Sequence, residues 1–396
     1  MNVTASRPLD TAPEVPFGLT ADQASFAETT RRFAADVLAP GYKARELSAS
    51  VPLELRRQMG ALGLIGVEFP TEYGGLGADH VTAGVVLEAI SEGDFNVGYI
   101  QLLSSLCGAI VARHAAPAIA AEILPQVVAG ELLIALALTE PRGGSDAASL
   151  ALKATRDGED YLLDGEKTSI SMADQADWAV VFARTGTAAE RAHGVSAFLV
   201  DMGLPGISRT RFNDIGELAI GRGSIFFDKV RVPASHRLGA EGSGFVQVMQ
   251  GFDFSRALIG LQCLAVARVS LAETWAYVKD RKAFGRPLAD NQGVTFPLAE
   301  AETMVEAARL LCYRTLAAKD AGAPHTREAA MCKWWAPKLA FEVVQTCLLM
   351  HGHAGYSTEL PFEQRLRDVL GLQIGDGTAQ IMKMIIAREA LKAASS

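Results

Sequence analysis

The sequence predicts a mainly α-helical chain with a β-domain at its centre. Residues 21–132 hold runs of good helix formers, Phe26–Ala35, Leu53–Leu62, Val81–Ile90 and Ile119–Val128, punctuated by Pro40, Pro70, Gly74–Gly75 and Gly130. Residues 133–240 turn to β-branched and aromatic side chains, with the turn pairs Asp157–Gly158 and Asp164–Gly165 bracketing Tyr161–Leu163. Across 241–396 helical spacing returns: Ala301, Val305, Ala308, Cys312 and Leu316 keep one face.

Taken in order, residues 1–20 read as a loose arm. They are Pro-rich, carry Asp10 and Glu14, and show neither an apolar leader core nor an Arg-rich amphipathic pattern. In the first helical domain the longest uncharged run, Phe95–Ala112, contains Asn96, Gln101, Ser104 and Ser105 and stops at Arg113. Those polar residues make it a buried helix and not a membrane span. In the middle domain strands are expected at Trp178–Ala183, Val195–Val200 and Ser224–Phe227, and Asp164–Gly165 has the makeup of a tight hairpin turn. Thr378 is the expected N-cap of the last helix, with Ile381, Met384, Ile385 and Leu391 along one side.

The 396 residues are 49% hydrophobic, with 37 basic against 45 acidic side chains and a net charge of −8. So much apolar surface excludes disorder as the main state. An acidic balance without a Lys/Arg run gives no footing for a nucleic-acid partner. Cys107, Cys263, Cys312, Cys332 and Cys347 are scattered singly with no CxxC. They read as buried thiols of a reducing, cytoplasmic compartment. No metal site is expected, because His351 and His353 point to different faces of a helix and lack a partner at ligand spacing.

Three segments could carry chemistry. In Leu138-Thr139-Glu140-Pro141-Arg142-Gly143-Gly144-Ser145-Asp146 a Gly pair before a Ser lets backbone N–H groups and a hydroxyl approach a ligand. A Gly turn with an Asp cap accounts for it equally. In Asp280-Arg281-Lys282-Ala283-Phe284-Gly285-Arg286 an Arg could hold a phosphate and Phe284 could stack on a planar ring, but a basic helix C-terminus capped by Gly285 is the simpler reading. In the stretch from Arg367-Asp368 to Gly375-Asp376-Gly377-Thr378, Asp376 sits between apolar stretches where a carboxyl gains a raised pKa, and an Asp–Gly turn before a Thr cap is the alternative.

Together, in this order and spacing, the three segments resemble the acyl-CoA dehydrogenase family. Leu136–Ser171 is similar to its flavin-binding stretch, with Thr-Glu-Pro-x-x-Gly-Ser-Asp and then Gly165-x-Lys167. Gly244–Leu298 is similar to the entry of its third domain, with Asp253-x-x-Arg256, Arg281-x-x-Phe284-Gly285 and Gln292, and Glu363–Gln380 to its terminal signature. The resemblance implies a helical bundle (21–132), a β-barrel-like middle domain (133–240) and a C-terminal four-helix bundle (241–396). It implies FAD, an acyl-CoA substrate, an electron-transferring flavoprotein as acceptor, and a homotetramer in which a neighbour completes the flavin site. It assigns Leu136, Leu138, Thr139, Gly144, Ser145, Ser169, Ile170, Ser171, Thr378 and Gln380 to the flavin. Arg281, Phe284, Gln292, Leu349, Gly352 and His353 fall to the ADP half of a partner's FAD. Ser145, Asp253 and Arg256 fall to the coenzyme A arm.

By the same resemblance Asp376 stands where many members carry the catalytic Glu. Members that place it earlier use the position before Arg256, which is Ser255 here and cannot act as a carboxylate base. Taking the α-proton of a thioester needs a carboxylate in a dry pocket. Asp is shorter by one methylene, and a misplacement near 1 Å costs on the order of 100-fold in rate. A differently placed α-carbon is therefore expected, such as the tertiary carbon of a ring. Family members acting on cyclohexane- and cyclohexene-carboxyl-CoA use Asp here. The expected reaction is α,β-dehydrogenation of an alicyclic thioester, first cyclohexane-1-carboxyl-CoA to cyclohex-1-ene-1-carboxyl-CoA. The alternatives are a short- or branched-chain acyl-CoA, a nitroalkane-oxidase-like flavoenzyme, and an inactive scaffold. Ser169, Leu349 and His353 depart from the frequent Trp, Gln and Gly.

Overall fold

A computed structural model describes residues 18–395; most of the arm expected over 1–20 lies outside them. Thr20 starts the first helix with a capping box: its hydroxyl accepts the Gln23 N–H, and the Gln23 side chain accepts the Thr20 N–H. The N-terminal layer comprises α1 (Ala21–Phe33), α2 (Tyr42–Ser48), α3 (Leu53–Ala61), α4 (His80–Gly93), α5 (Phe95–Leu103), α6 (Ala109–His114) and α7 (Pro117–Val128). Asp79 caps α4, and Asp94 caps α5 through the N–H groups of Asn96 and Val97. A π-helical turn, Ser104–Gly108, joins α5 to α6 in one rod whose residues 95–108 are all buried.

The middle layer is an eight-stranded sheet of β1 (Ile134–Ala137), β2 (Lys153–Asp157), β3 (Asp160–Ser171), β4 (Trp178–Arg184), β5 (Val195–Asp201), β6 (Ile207–Arg209), β7 (Arg222–Pro233) and β8 (Arg237–Leu238). Its order is β6-β7-β3-β2-β4-β5-β8, with β1 parallel to β4. β6 and β8 end this path, so the sheet is open and no barrel closes. The reversal between β2 and β3 falls at Gly158–Glu159, with Asp157 paired to Asp160 and Gly158 at φ +63°. Asp164–Gly165, expected as the hairpin turn, lies inside β3, where the register against β7 slips between Leu163 and Gly165. There the glycine serves close approach: a Cβ on Gly165 would come within 3.1 Å of the Leu152 backbone.

The C-terminal layer holds α8 (Gly244–Asp280), a small hairpin of β9 (Lys282–Ala283) and β10 (Arg286–Pro287), α9 (Gln292–Asp320), α10 (Thr326–Met350), α11 (His353–Tyr356), α12 (Phe362–Gly371) and α13 (Ala379–Ser395). Residues 254–267 of α8 are buried all round, as a central helix requires, and α4, α9 and α10 pack on it. The stretch Phe95–His114 and α8 are each long and apolar enough to cross a membrane, yet most of both lies inside the fold. All five cysteines are buried free thiols. In α13 the expected apolar side is not a core face. Met384 and Leu391 are exposed and Met382 is the buried residue, because the helix packs chiefly on α10 and turns Ile381 and Ile385 to the cavity where the layers meet.

Candidate active site

A cavity of about 700 Å³ opens where the three layers meet. The α5–α6 rod contributes Tyr99, Leu102, Leu103 and Leu106, and α8 contributes Phe245, Met249, Phe252 and Arg256. The sheet side presents Leu136, Leu138, Thr139, Gly144, Ser145, Ser169, Ile170, Ser171 and Arg222. The loop before α13, and α13 itself, close it with Ile374, Asp376, Thr378, Ile381 and Ile385.

The Leu138–Asp146 loop owes its shape to a buried ion pair. Lys167, with no exposed surface, donates to Glu140 Oε1 at 2.7 Å and to the Leu138 carbonyl at 2.9 Å. The Glu140 carboxylate also accepts the N–H groups of Ala151 at 2.6 Å and Leu152 at 2.9 Å. The start of the loop is thus pinned, and the Thr168 N–H bonds the Thr139 carbonyl at 2.9 Å. Burial pushes the Lys167 ammonium down to about 8 against the pull of Glu140. At Glu140 burial is outweighed by Lys167 and the two N–H donors, which hold its carboxyl low. At the cavity end of β3 the register slips again between Lys167 and Ile170, and Ser169 takes φ +56°. Such a bulge re-aims side chains.

Asp376 has φ +54° and Gly377 φ +106°, so the loop enters α13 through the left-handed region. Thr378 then caps α13, its hydroxyl 3.5 Å from the Ile381 N–H. Burial raises the Asp376 carboxyl, opposed by Lys333, Arg256 and Arg222. Arg256 pairs with Asp253 at 3.1 Å, and Asp253 also accepts the Thr326 hydroxyl at 2.6 Å. The Arg256 Nε is buried without a partner. Arg222 pairs with the buried Glu217 and lies 3.5 Å from the Tyr99 hydroxyl.

Of the residues singled out in the sequence, Leu136, Leu138, Thr139, Gly144, Ser145, Ser169, Ile170, Ser171, Arg256, Asp376 and Thr378 line this one cavity. Asp253 is half-buried behind Arg256, and Gln380 is exposed; neither is in the lining. Arg281, Phe284, Gln292, Leu349, Gly352 and His353 are exposed, outside the cavity of their own chain. They share one end of the bundle: Tyr277, one turn before Arg281, stacks on His351 with ring centroids 4.1 Å apart. Sequence reading missed Lys333, Arg222, Tyr99 and the leucines of the rod. Lys333 within the otherwise apolar helical stretch Ala329–Ala336 was the available signal.

The donor set fits a flavin. Leu136, Leu138, Ile170 and Ile381 offer apolar faces to a flat ring, while Thr139, Ser145, Ser171 and Thr378 offer hydroxyls to its polar edge. Gly143 has open space around its missing Cβ, so a phosphate can approach that backbone closely.

Models of the acyl-CoA dehydrogenase N-terminal, middle and C-terminal domains match residues 20–131, 135–230 and 242–391. The CarC subunit of the caffeyl-CoA reductase–Etf complex of Acetobacterium woodii is 33% identical over 350 residues, covering 88% of this chain and 92% of that one. The structure of butyryl-CoA dehydrogenase from Megasphaera elsdenii superposes with a TM-score of 0.91 at 32% identity, over 95% of this chain and 100% of that one. A glutaryl-CoA dehydrogenase from Mycobacterium smegmatis, in complex with FADH2, superposes with a TM-score of 0.88 at 27% identity, over 94% and 95%.

Proposed function

Because this chain belongs to the acyl-CoA dehydrogenase family, we propose that it removes two hydrogens from an alicyclic acyl-CoA, with Asp376 as the base. The coarser activity, FAD-dependent dehydrogenation of an acyl-CoA, follows from the family itself. FAD, held by the hydroxyls of Thr139, Ser145, Ser171 and Thr378, would supply the two-electron acceptor for the β-hydrogen. The protein residues bind, orient and exclude water.

One observation carries the assignment: a half-buried carboxylate, pushed toward higher pKa by loss of solvent, faces the cavity from the loop before α13, beside Arg256. In water the Asp carboxylate is a poor match for a thioester α-proton; desolvation raises its basicity. The proton moves to an Asp376 carboxylate oxygen as the α-carbon bond breaks, and the pair left behind forms the double bond as the β-hydrogen departs. The substrate leaves as the 2,3-unsaturated thioester. Arg256, with a free Nε, suits the coenzyme A arm, and Ser145 adds a hydroxyl at the loop.

The substrate proposal rests on shape. Leu102, Leu103 and Leu106 crowd the rod side of the cavity, and Met249 and Phe252 crowd the α8 side. A compact ring fills such a space better than a long chain, and a short base leaves room for its tertiary α-carbon. Cyclohexane-1-carboxyl-CoA is the first substrate to test. Electrons leave by an electron-transferring flavoprotein, as the name of the caffeyl-CoA reductase–Etf relative suggests.

Anaerobic bleaching of the bound flavin across straight, branched and cyclic acyl-CoAs tests the reading. We expect cyclohexane-1-carboxyl-CoA to bleach fastest and Asp376→Asn to bind it without bleaching. A clear preference for butyryl- or octanoyl-CoA would sink the alicyclic proposal, and full bleaching by the Asn variant would sink the base. The limb of the rate that rises with pH should lie above the ordinary Asp value of about 3.9, because only the carboxylate is active and burial favours its neutral form.

A further inference from the structure

Lys333 lies two turns into α10 with 1% of its surface exposed. A buried ammonium needs acceptors. It has two: the Leu372 carbonyl at 2.6 Å and the Gly377 carbonyl at 3.2 Å. These carbonyls bracket residues 373–376, so one ammonium ties both ends of the loop that carries Asp376. The left-handed backbone of Asp376 persists only where its surroundings over-determine it. The anchor is firm, because α10 is a 25-residue helix packed against α8, α9 and α13.

Charge acts in the same sense. Asp376 is faced by Lys333 from α10, Arg256 from α8 and Arg222 from β7, and by Tyr99 and Cys107 from the α5–α6 rod. Arg256 is already paired with Asp253, and Arg222 with Glu217 and Asp214. Among the described residues no carboxylate forms an ion pair with Lys333, whose hydrogen-bond acceptors are neutral carbonyls. Of the three cations it opposes the desolvation of that carboxyl most strongly; Cys263 and Glu217 also face its ammonium, which burial pushes down to about 8, so the charge is in place below that pH.

We propose that Lys333 is the positioning residue of the base: its ammonium clamps the Asp376 loop at both ends and supplies the foremost positive charge that the carboxylate faces. The effect on rate rests on the dehydrogenase reading above; the effect on the carboxyl does not, because its titration can be followed without substrate.

The experiment uses the full-length FAD-loaded protein, its Lys333→Met, Lys333→Gln and Lys333→Arg variants, and Asp376→Asn. Infrared difference spectra against pH follow the Asp376 carboxyl, identified as the band that Asp376→Asn loses. Lys333→Met should move its midpoint up by about one pH unit, leaving about tenfold less carboxylate below both midpoints. Its bleaching limb should shift by the same amount, with the rate recovering at alkaline pH. Lys333→Arg keeps the charge and should keep the midpoint, while its larger head displaces the loop and slows bleaching. If Lys333→Met does not fold, Lys333→Gln, also neutral, gives the same reading. An unmoved midpoint in the neutral variants overturns the proposal, as does an arginine variant that shifts as far as methionine. A carboxyl that titrates as stated in a protein that no acyl-CoA bleaches overturns the reaction and upholds the clamp.

Discussion

The Lys167–Glu140 pair holds the start of the Leu138–Asp146 loop, which lines the cavity. Buried ion pairs stabilise little on balance, but breaking one strands a charge. Lys167→Met leaves Glu140 facing two N–H donors and no cation. It should lower stability by roughly 3–5 kcal/mol and reduce bound FAD, measured by denaturant unfolding and by flavin absorbance. Adding Glu140→Gln should return part of the stability. An unchanged denaturation midpoint in Lys167→Met would remove the pair from the account. This scale also shows what sequence reading could reach. Thr139, Ser145, Asp376 and Thr378 were visible because their meaning is local: turns, caps and glycines a few positions apart. Lys333 and Arg222 were not, because what sets them apart is burial against residues far away in the chain.

Among the elements, the α5–α6 rod does the most to shape the cavity. Its π-helical turn lies between Leu103 and the exit of the rod, and leucines on both sides of the turn's start face the cavity. Leu103→Ala should open room for an unbranched tail. The preference in kcat/KM for a straight-chain over a cyclic thioester should then rise by about tenfold. Steady-state assays on both substrates check it, and an unchanged ratio would place the specificity elsewhere. Patterning found this helix, the helix–sheet–helix order and the strands Trp178–Ala183 and Val195–Val200. It misplaced the hairpin at Asp164–Gly165, because an Asp–Gly pair suits a bulge as well as a turn and only the partner strand tells them apart. It misread the stripe on α13 for a similar reason. Spacing defines a face, but the neighbours decide whether that face meets core, cavity or open surface.

At the scale of the molecule the three layers are joined by Asp368. Fully buried on α12, it accepts the Tyr42 hydroxyl at 2.6 Å, the Asn96 side chain at 2.8 Å and the Glu217 N–H at 2.5 Å, so one carboxyl touches all three layers. Burial pushes it up to about 7, against the pull of the Tyr42 hydroxyl and the Glu217 N–H. The folded state therefore holds this proton over a range where an unfolded Asp, near 3.9, has lost it. The contribution is complete below about pH 4 and is lost as pH rises through about 7. Asp368→Asn cannot titrate, so its thermal midpoint should fall less steeply than that of wild type between about pH 4 and pH 7; parallel slopes would refute the assignment.

No layer owns the cavity, and that has a thermodynamic corollary. A guest seated there touches every layer at once, so it acts as glue between parts that otherwise adhere only along their own seams. Calorimetry of stripped protein should resolve separate melting events, and the same protein saturated with its yellow prosthetic group should melt in one.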